Sequence, residues 1–256
     1  MAAAGAKVMI AAPDDDKLQA AVAEITDAGG TAEAVVCDVT SDEQVSESVR
    51  QTLRAFGDLS IVVANAGING TWAPIADLSP KEWQATHAVN LQGTFLTMHH
   101  TVPVLRQRGG GSITAIASIN GTRIFSNAGS AAYAASKAGQ VALVKVAALE
   151  LAADGIRVNA VCPGAFLTPI MGETTRRETA AISWPVDLPA GVVPLNGGDA
   201  GNPDDVASVV TFLASPAAKM VTGAELFVDG AESLLGETNV PVEEAESSLE
   251  TRAAVA

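Results

Sequence analysis

The sequence predicts an α/β fold built on a doubly wound parallel sheet. Three observations carry that expectation. Short apolar, β-branched runs alternate with longer segments of helical pattern from Lys7 to about Gly230. Such alternation implies right-handed crossovers and parallel pairing. The strand-like runs are apolar at consecutive positions rather than at every second one, as a sheet covered by helices on both faces requires. Of 256 residues, 48% are hydrophobic and only 4% aromatic, so the apolar mass is largely Ala, Val, Ile and Leu. That length fits one domain.

The elements follow in order. "KVMIAA" reads as a strand and residues 14–28 as the helix after it, closed by Gly29-Gly30. "AEAVVCDV" is a strand, followed by a helix over 41–56 that Ser41 caps and Asp42 and Glu43 open with acids. "LSIVVANAG" is a strand. A long helical stretch runs from about Ser79 to Arg106, with Pro80 at its first position. "GSITAIAS" is a strand, 131–153 a helix and "IRVNAVCPG" a strand. Pro203, Asp204 and Asp205 open a helix over 203–214, and "AELFVDG" is the last strand. Two stretches break the rhythm. Residues 165–202 are long and rich in Gly and Pro, the mark of a lid or an irregular loop. The tail, 236–256, is acidic with almost no large apolar residues, and is expected to be flexible.

Composition excludes several classes. A net charge of −14 repels a phosphate backbone, so nucleic acid is not an expected partner. No run approaches the ~18 uninterrupted apolar residues of a membrane span. The start, "MAAAGAKVMIAA", lacks the basic n-region of a signal peptide. Cys37 and Cys162 have no metal-ligand spacing and form no disulfide framework. They read as buried free thiols of a cytoplasmic protein, with no metal site.

The chemistry concentrates in "YAASK". Tyr133 is the only tyrosine, and Lys137 lies one helical turn beyond it on the same face. A phenol ionises near ~10, and a nearby ammonium lowers that value. Such a phenol can give a proton to a carbonyl or take one from an alcohol. An amphipathic tyrosine with an incidental lysine would explain the pair equally well. Ser118 ends a strand, where parallel sheets place ligands, although a turn serine is common there too. Asn90 sits inside a helical pattern, where an asparagine marks either a kink or an amide that holds a water.

Together, "YAASK", Ser118, "NAG" at 65–67, Asn90 in "VNLQGTF", "PG" at 163–164 and "TGAELFVDG" at 222–230 resemble a short-chain dehydrogenase/reductase over residues 5–235. The resemblance implies a single Rossmann-like domain over 1–235, with 165–202 as its substrate lid. Tyr133 would be the general acid/base. Lys137 would bind the nicotinamide ribose and lower the tyrosine's pKa. Ser118 would orient the substrate carbonyl, and Asn90 would hold a water of the proton relay. Asp38 and Val39 would meet the adenine, with Asn65, Ala66 and Gly67 near its ribose and phosphate. Pro163, Gly164 and Thr168 would line the nicotinamide and diphosphate. The substrate would be a small alcohol or ketone and the assembly a homo-oligomer, a dimer or tetramer.

One part of the family pattern is missing. Nothing in residues 1–30 matches the first strand and the TGxxxGxG turn that cradles the pyrophosphate. "MAAAG" resembles the last turn of the helix that should follow that turn. Two readings result: an NAD(P)-dependent oxidoreductase, or a non-catalytic or partner-completed subunit that binds cofactor weakly. The strand "KVMIAA" ends in Ala12 and Pro13 before Asp14, Asp15 and Asp16. Three acids would repel a 2′-phosphate, so the lean is to NAD over NADP, although helix capping explains Asp14 as well.

Overall fold

The structure is a computed structural model that describes residues 1–184 and 192–235. The acidic tail and residues 185–191 of the expected lid lie outside the described residues. After a short turn at Ala2–Ala4, closed by Gly5 at φ 87°, come β1 (Lys7–Ala12), α1 (Asp15–Asp27), β2 (Thr31–Val36), α2 (Asp42–Phe56), β3 (Ile61–Ala64) and β4 (Thr71–Trp72). Then follow α3 (Pro80–His87), α4 (Gly93–Arg108), β5 (Gly111–Ile116), α5 (Ala131–Leu151), β6 (Ile156–Pro163), β7 (Thr175–Arg176), α6 (Pro203–Ala214) and β8 (Glu225–Val228).

Helix starts follow their caps. Ser41 accepts from Gln44 N at the head of α2. Ser79 and Glu82 form a reciprocal capping box at α3, with Pro80 at its first position. Asn202 accepts from Asp204 N at α6. Asp14 accepts from Lys17 N at 3.1 Å, so it is an N-cap of α1.

All pairings are parallel, as the alternation predicts. The strands do not form one continuous sheet, however. β1 pairs with β2, while β3, β5, β6 and β8 form a second sheet in that order. No ladder joins β1 to β3 among the described residues. Between them lies a cavity of about 1050 Å³, lined by both strands and by the inner faces of α2 and α4. The two pieces are held together around the gap by helices. Cys37, Val45 and Leu96 form a small core there, and His100 Nε2 lies 2.8 Å from Asp42 Oδ1. Gly93 lets α4 approach the chain after β2, because a Cβ there would come 2.8 Å from Val39 Cγ2.

The main core lies between the second sheet and helices α4 and α5, with Leu105, Ile113, Val144 and Val158 almost wholly buried. A second cluster around Val161, Val210 and Leu213 packs α6 on the opposite face. Covering both faces explains why β5 and β6 read as uninterrupted apolar runs. No helix among the described residues is long and apolar enough to cross a membrane.

Candidate active site

The site forms where β5 ends. Past Ile116 the chain stays alongside β6, with Ala117 N donating to Val161 O and Ile119 N to Pro163 O. This fixes Ser118 between them. A tight turn follows, with Ser118 Oγ accepting from Asn120 N at 3.1 Å and Thr122 donating to Ser118 O at 2.8 Å. The first turns of α5 bring Tyr133 and Lys137 against that strand end, and all three side chains are buried.

Lys137 Nζ donates to Ile116 O at 2.8 Å and sits 5.6 Å from the centre of the Tyr133 ring. Burial pulls the Lys137 ammonium down to about 8. Burial also raises the Tyr133 phenol above its ordinary value, against the opposing effect of the Ser118 hydroxyl. Desolvation, which disfavours the charged form, is the largest cause for both groups, and the expected lowering of the tyrosine by Lys137 does not enter. Cys162, free and buried behind them, is pushed up to about 12, chiefly by burial, so it is an inert thiol.

Asn90 lies in a π-helical turn, Ala88–Gln92, that joins α3 to α4. Such a turn marks a local strain in the helix, often at a functional site. The Asn90 side chain accepts from Ile68 N at 2.8 Å and donates to Ile68 O and to Ser136 Oγ, both at 2.9 Å. Both amide hydrogens are spent on protein partners. The amide therefore braces the 65–68 turn against α5. Gly67 closes the arrangement: a Cβ there would come 3.2 Å from Lys137 Nζ and 3.5 Å from Asn90 Oδ1.

Of the expected cofactor residues, Tyr133 and Lys137 lie on α5 and the others at or beyond the carboxyl ends of parallel strands. Asp38 and Val39 follow β2, and Asn65, Ala66 and Gly67 follow β3; these five line the cavity between the two sheet pieces. The Asp38 carboxylate is engaged locally, accepting from Thr40 N at 2.9 Å and Thr40 Oγ1 at 2.8 Å. Pro163, Gly164 and Thr168 follow β6 and lie outside that lining, with Thr168 exposed. The structure therefore brings Ser118, Tyr133, Lys137 and Asn90 together and leaves the two sets of cofactor residues on separate loops.

Three contacts had no signal in the sequence. The lid segment docks on the chain after β3 through the two-residue pairing of β4 with β7. Asn69 Nδ2 donates to Thr174 Oγ1 at 2.7 Å. Arg177 grips both carboxylate oxygens of Glu82, at 2.7 and 3.1 Å. Each joins residues about a hundred positions apart, beyond the reach of local pattern.

A parallel α/β sheet with a buried serine, tyrosine and lysine at one strand end defines a class, the dinucleotide-dependent oxidoreductases of Rossmann type. Comparison narrows that class. The family model described as enoyl-(acyl carrier protein) reductase matches residues 1–231. Cyclohexanol dehydrogenase of an Acinetobacter strain is 36% identical over 231 residues, 90% of this chain and 86% of the relative. The crystal structure of a 3-ketoacyl-ACP reductase from Sinorhizobium meliloti superposes with a TM-score of 0.85 at 47% identity, covering 91% of each chain. A Brucella melitensis 3-ketoacyl-(acyl-carrier-protein) reductase complexed with NADH gives 0.79 at 32% identity, covering 91% of this chain and 90% of that one. The chain belongs to the short-chain dehydrogenase/reductase family and is an oxidoreductase of that type.

Proposed function

We propose that this chain catalyses reversible hydride transfer between a nicotinamide cofactor and a secondary alcohol or its ketone. The observation that carries the reading is the convergence of Ser118, Tyr133 and Lys137, all buried, at one strand end. Tyr133 passes a proton to or from the substrate oxygen. Ser118 orients that oxygen by hydrogen bonding. Lys137 sets the field at the phenol and would hold the nicotinamide ribose. Asn90 acts as the brace that keeps the 65–68 turn against α5. The comparisons favour this enzyme reading over a non-catalytic subunit.

The cofactor, when bound, supplies or accepts the hydride. Asp38, Val39 and Asn65–Gly67 would hold its adenine half, and Pro163, Gly164 and Thr168 its nicotinamide half. Their placement at the carboxyl ends of parallel strands suits that role. The absence of a basic side chain at the end of β1 supports NAD over NADP.

The gap between β1 and β3 supports a further part of the reading: a strand and a glycine-rich turn that the described residues do not supply belong there. Two parallel strand edges face one space. The cavity's volume of about 1050 Å³ leaves room for a strand between them. Amide exchange at Met9 and Val63, whose N–H groups face the groove while their neighbours pair with β2 and β5, is expected to be fast while the groove is open and slow once a strand fills it. Equal rates in both states would oppose this part.

A soluble cytoplasmic homo-oligomer completes the reading. α4 and α5 present Phe95 (49% exposed), Val146 (66%) and Leu149 (83%) to the surroundings, apolar surface suited to a second copy. Sedimentation would show a dimer or tetramer, and a clean monomer would contradict it. The lid over 165–202, with Met171 and Trp184 half-exposed, fits an apolar substrate. The relatives' names point to cyclic alcohols, 3-oxoacyl thioesters and hydroxysteroids. The test is NADH absorbance across those three classes in both directions. Hydride transfer with at least one is expected, with NADH bound more tightly than NADPH. No transfer with any class would overturn the reading.

A further inference from the structure

The turn after β8, Asp229–Leu235, holds both ends of the loop between β6 and α6. At the first end, Glu232 Oε2 accepts from Ala165 N at 2.6 Å. Ala165 O in turn accepts from Gly201 N at 2.9 Å, and Gly201 O accepts from Leu167 N at 3.1 Å. At the second end, Gly230 O accepts from Leu195 N at 3.0 Å. The fit is close. A Cβ at Gly164 would collide with Glu232 Oε2 and come 2.8 Å from Asp229 Cβ, and one at Gly230 would collide with Val193.

The turn is itself braced. The Asp229 carboxylate accepts from Ala231 N at 3.2 Å, from Ser233 N at 3.1 Å and from the Ser233 hydroxyl. Arg123 donates to Ser233 Oγ at 3.3 Å, and its guanidinium lies 3.5 Å over the Phe227 ring. Ala231 takes φ 73°, a conformation that L residues with a side chain rarely adopt. Glu232 is half-buried and stands beside Asp229, another acid, so burial pushes its carboxyl up. A half-buried carboxylate that faces a like charge and caps one backbone N–H is unfavourable to build.

We propose that Glu232 is a positioning residue. Its carboxylate fastens Ala165 to the C-terminal turn and so holds Pro163–Thr168 in register for the nicotinamide end of the cofactor. The functional half of this inference rests on the proposed dehydrogenase reading; the structural half does not.

Two variants and two readouts test it. Glu232→Ala removes the acceptor. Glu232→Gln keeps an amide oxygen in its place without the charge. Amide exchange at Ala165 needs no turnover: at least a tenfold acceleration is expected in Glu232→Ala, with a near-native rate in Glu232→Gln. In steady state, Glu232→Ala is expected to raise the KM for NADH severalfold with kcat within about twofold, and Glu232→Gln to restore it. Unchanged exchange at Ala165 overturns the proposal. Faster exchange with unchanged KM overturns it too, because the anchor would then not position the cofactor loop. A wild-type chain that transfers no hydride defeats the dehydrogenase reading separately, and exchange at Ala165 then decides whether Glu232 is the anchor.

Discussion

Tyr133 and Lys137 share a face of α5, and burial moves both toward their neutral forms: the phenol upward, the ammonium down to about 8. A protonated phenol is ready to act as an acid, so ketone reduction proceeds at neutral pH. Alcohol oxidation needs the phenolate, whose fraction grows with pH below the phenol's raised value. The rate of oxidation, kcat/KM, is therefore expected to rise steadily between pH 7 and 10, while reduction stays level or falls. Rate measurements in both directions across that range check it, and an oxidation rate that falls with pH would oppose the assignment of Tyr133. Asn90 contributes through geometry. Replacing it by Ala takes one hydrogen bond each from Ile68 N, Ile68 O and Ser136 Oγ. The expected loss is about 3 kcal/mol of unfolding free energy, read from the denaturant midpoint. The types of these residues were legible in the sequence. Their energetics were not, because the sign of the Tyr133 shift depends on how deeply α5 buries it. The Asn90 bonds were hidden too, since they reach across 22 and 46 positions.

At the scale of elements, helices were the most legible. Caps at Ser41, Ser79 and Pro203 mark real starts, and α6 spans the expected 203–214. The π turn inside the Ser79–Arg106 stretch falls at Asn90, where a kink was one of two readings, but its hydrogen-bond register leaves no mark on apolar spacing. The β4–β7 pairing was equally hidden, being two residues long on each side. That pairing and Arg177 dock the middle of the lid. Arg177 holds the Glu82 carboxyl well below the usual carboxylate range, so the pair stays charged at any working pH. Salt screens such an exposed pair and pH does not disturb it. Arg177→Gln is expected to speed limited proteolysis of 165–184 several-fold and to raise the substrate KM. In the wild type, about 1 M salt is expected to have the same direction of effect, with no matching change between pH 6 and 8.

For the molecule as a whole, the alternation of strands and helices gives the parallel pairing correctly, while the break in the sheet between β1 and β3 left no mark on that alternation. The sheet opens between β1 and β3, the helices α2 and α4 span the opening, and the residues expected at the adenine line it. The acid–base site is built on β5 and α5, where the main core packs, and meets the opening at the 65–68 turn. The buried serine, tyrosine and lysine thus stand on the better-packed half of the molecule. The measurement that bears most directly on this account is the rate of NADH formation from a secondary alcohol, wild type beside Tyr133→Phe, with circular dichroism to show that both are folded. The account expects a loss of about 10²–10⁴-fold for the phenylalanine variant, the usual worth of a positioned general acid/base. A folded Tyr133→Phe chain that turns over at the wild-type rate would contradict it.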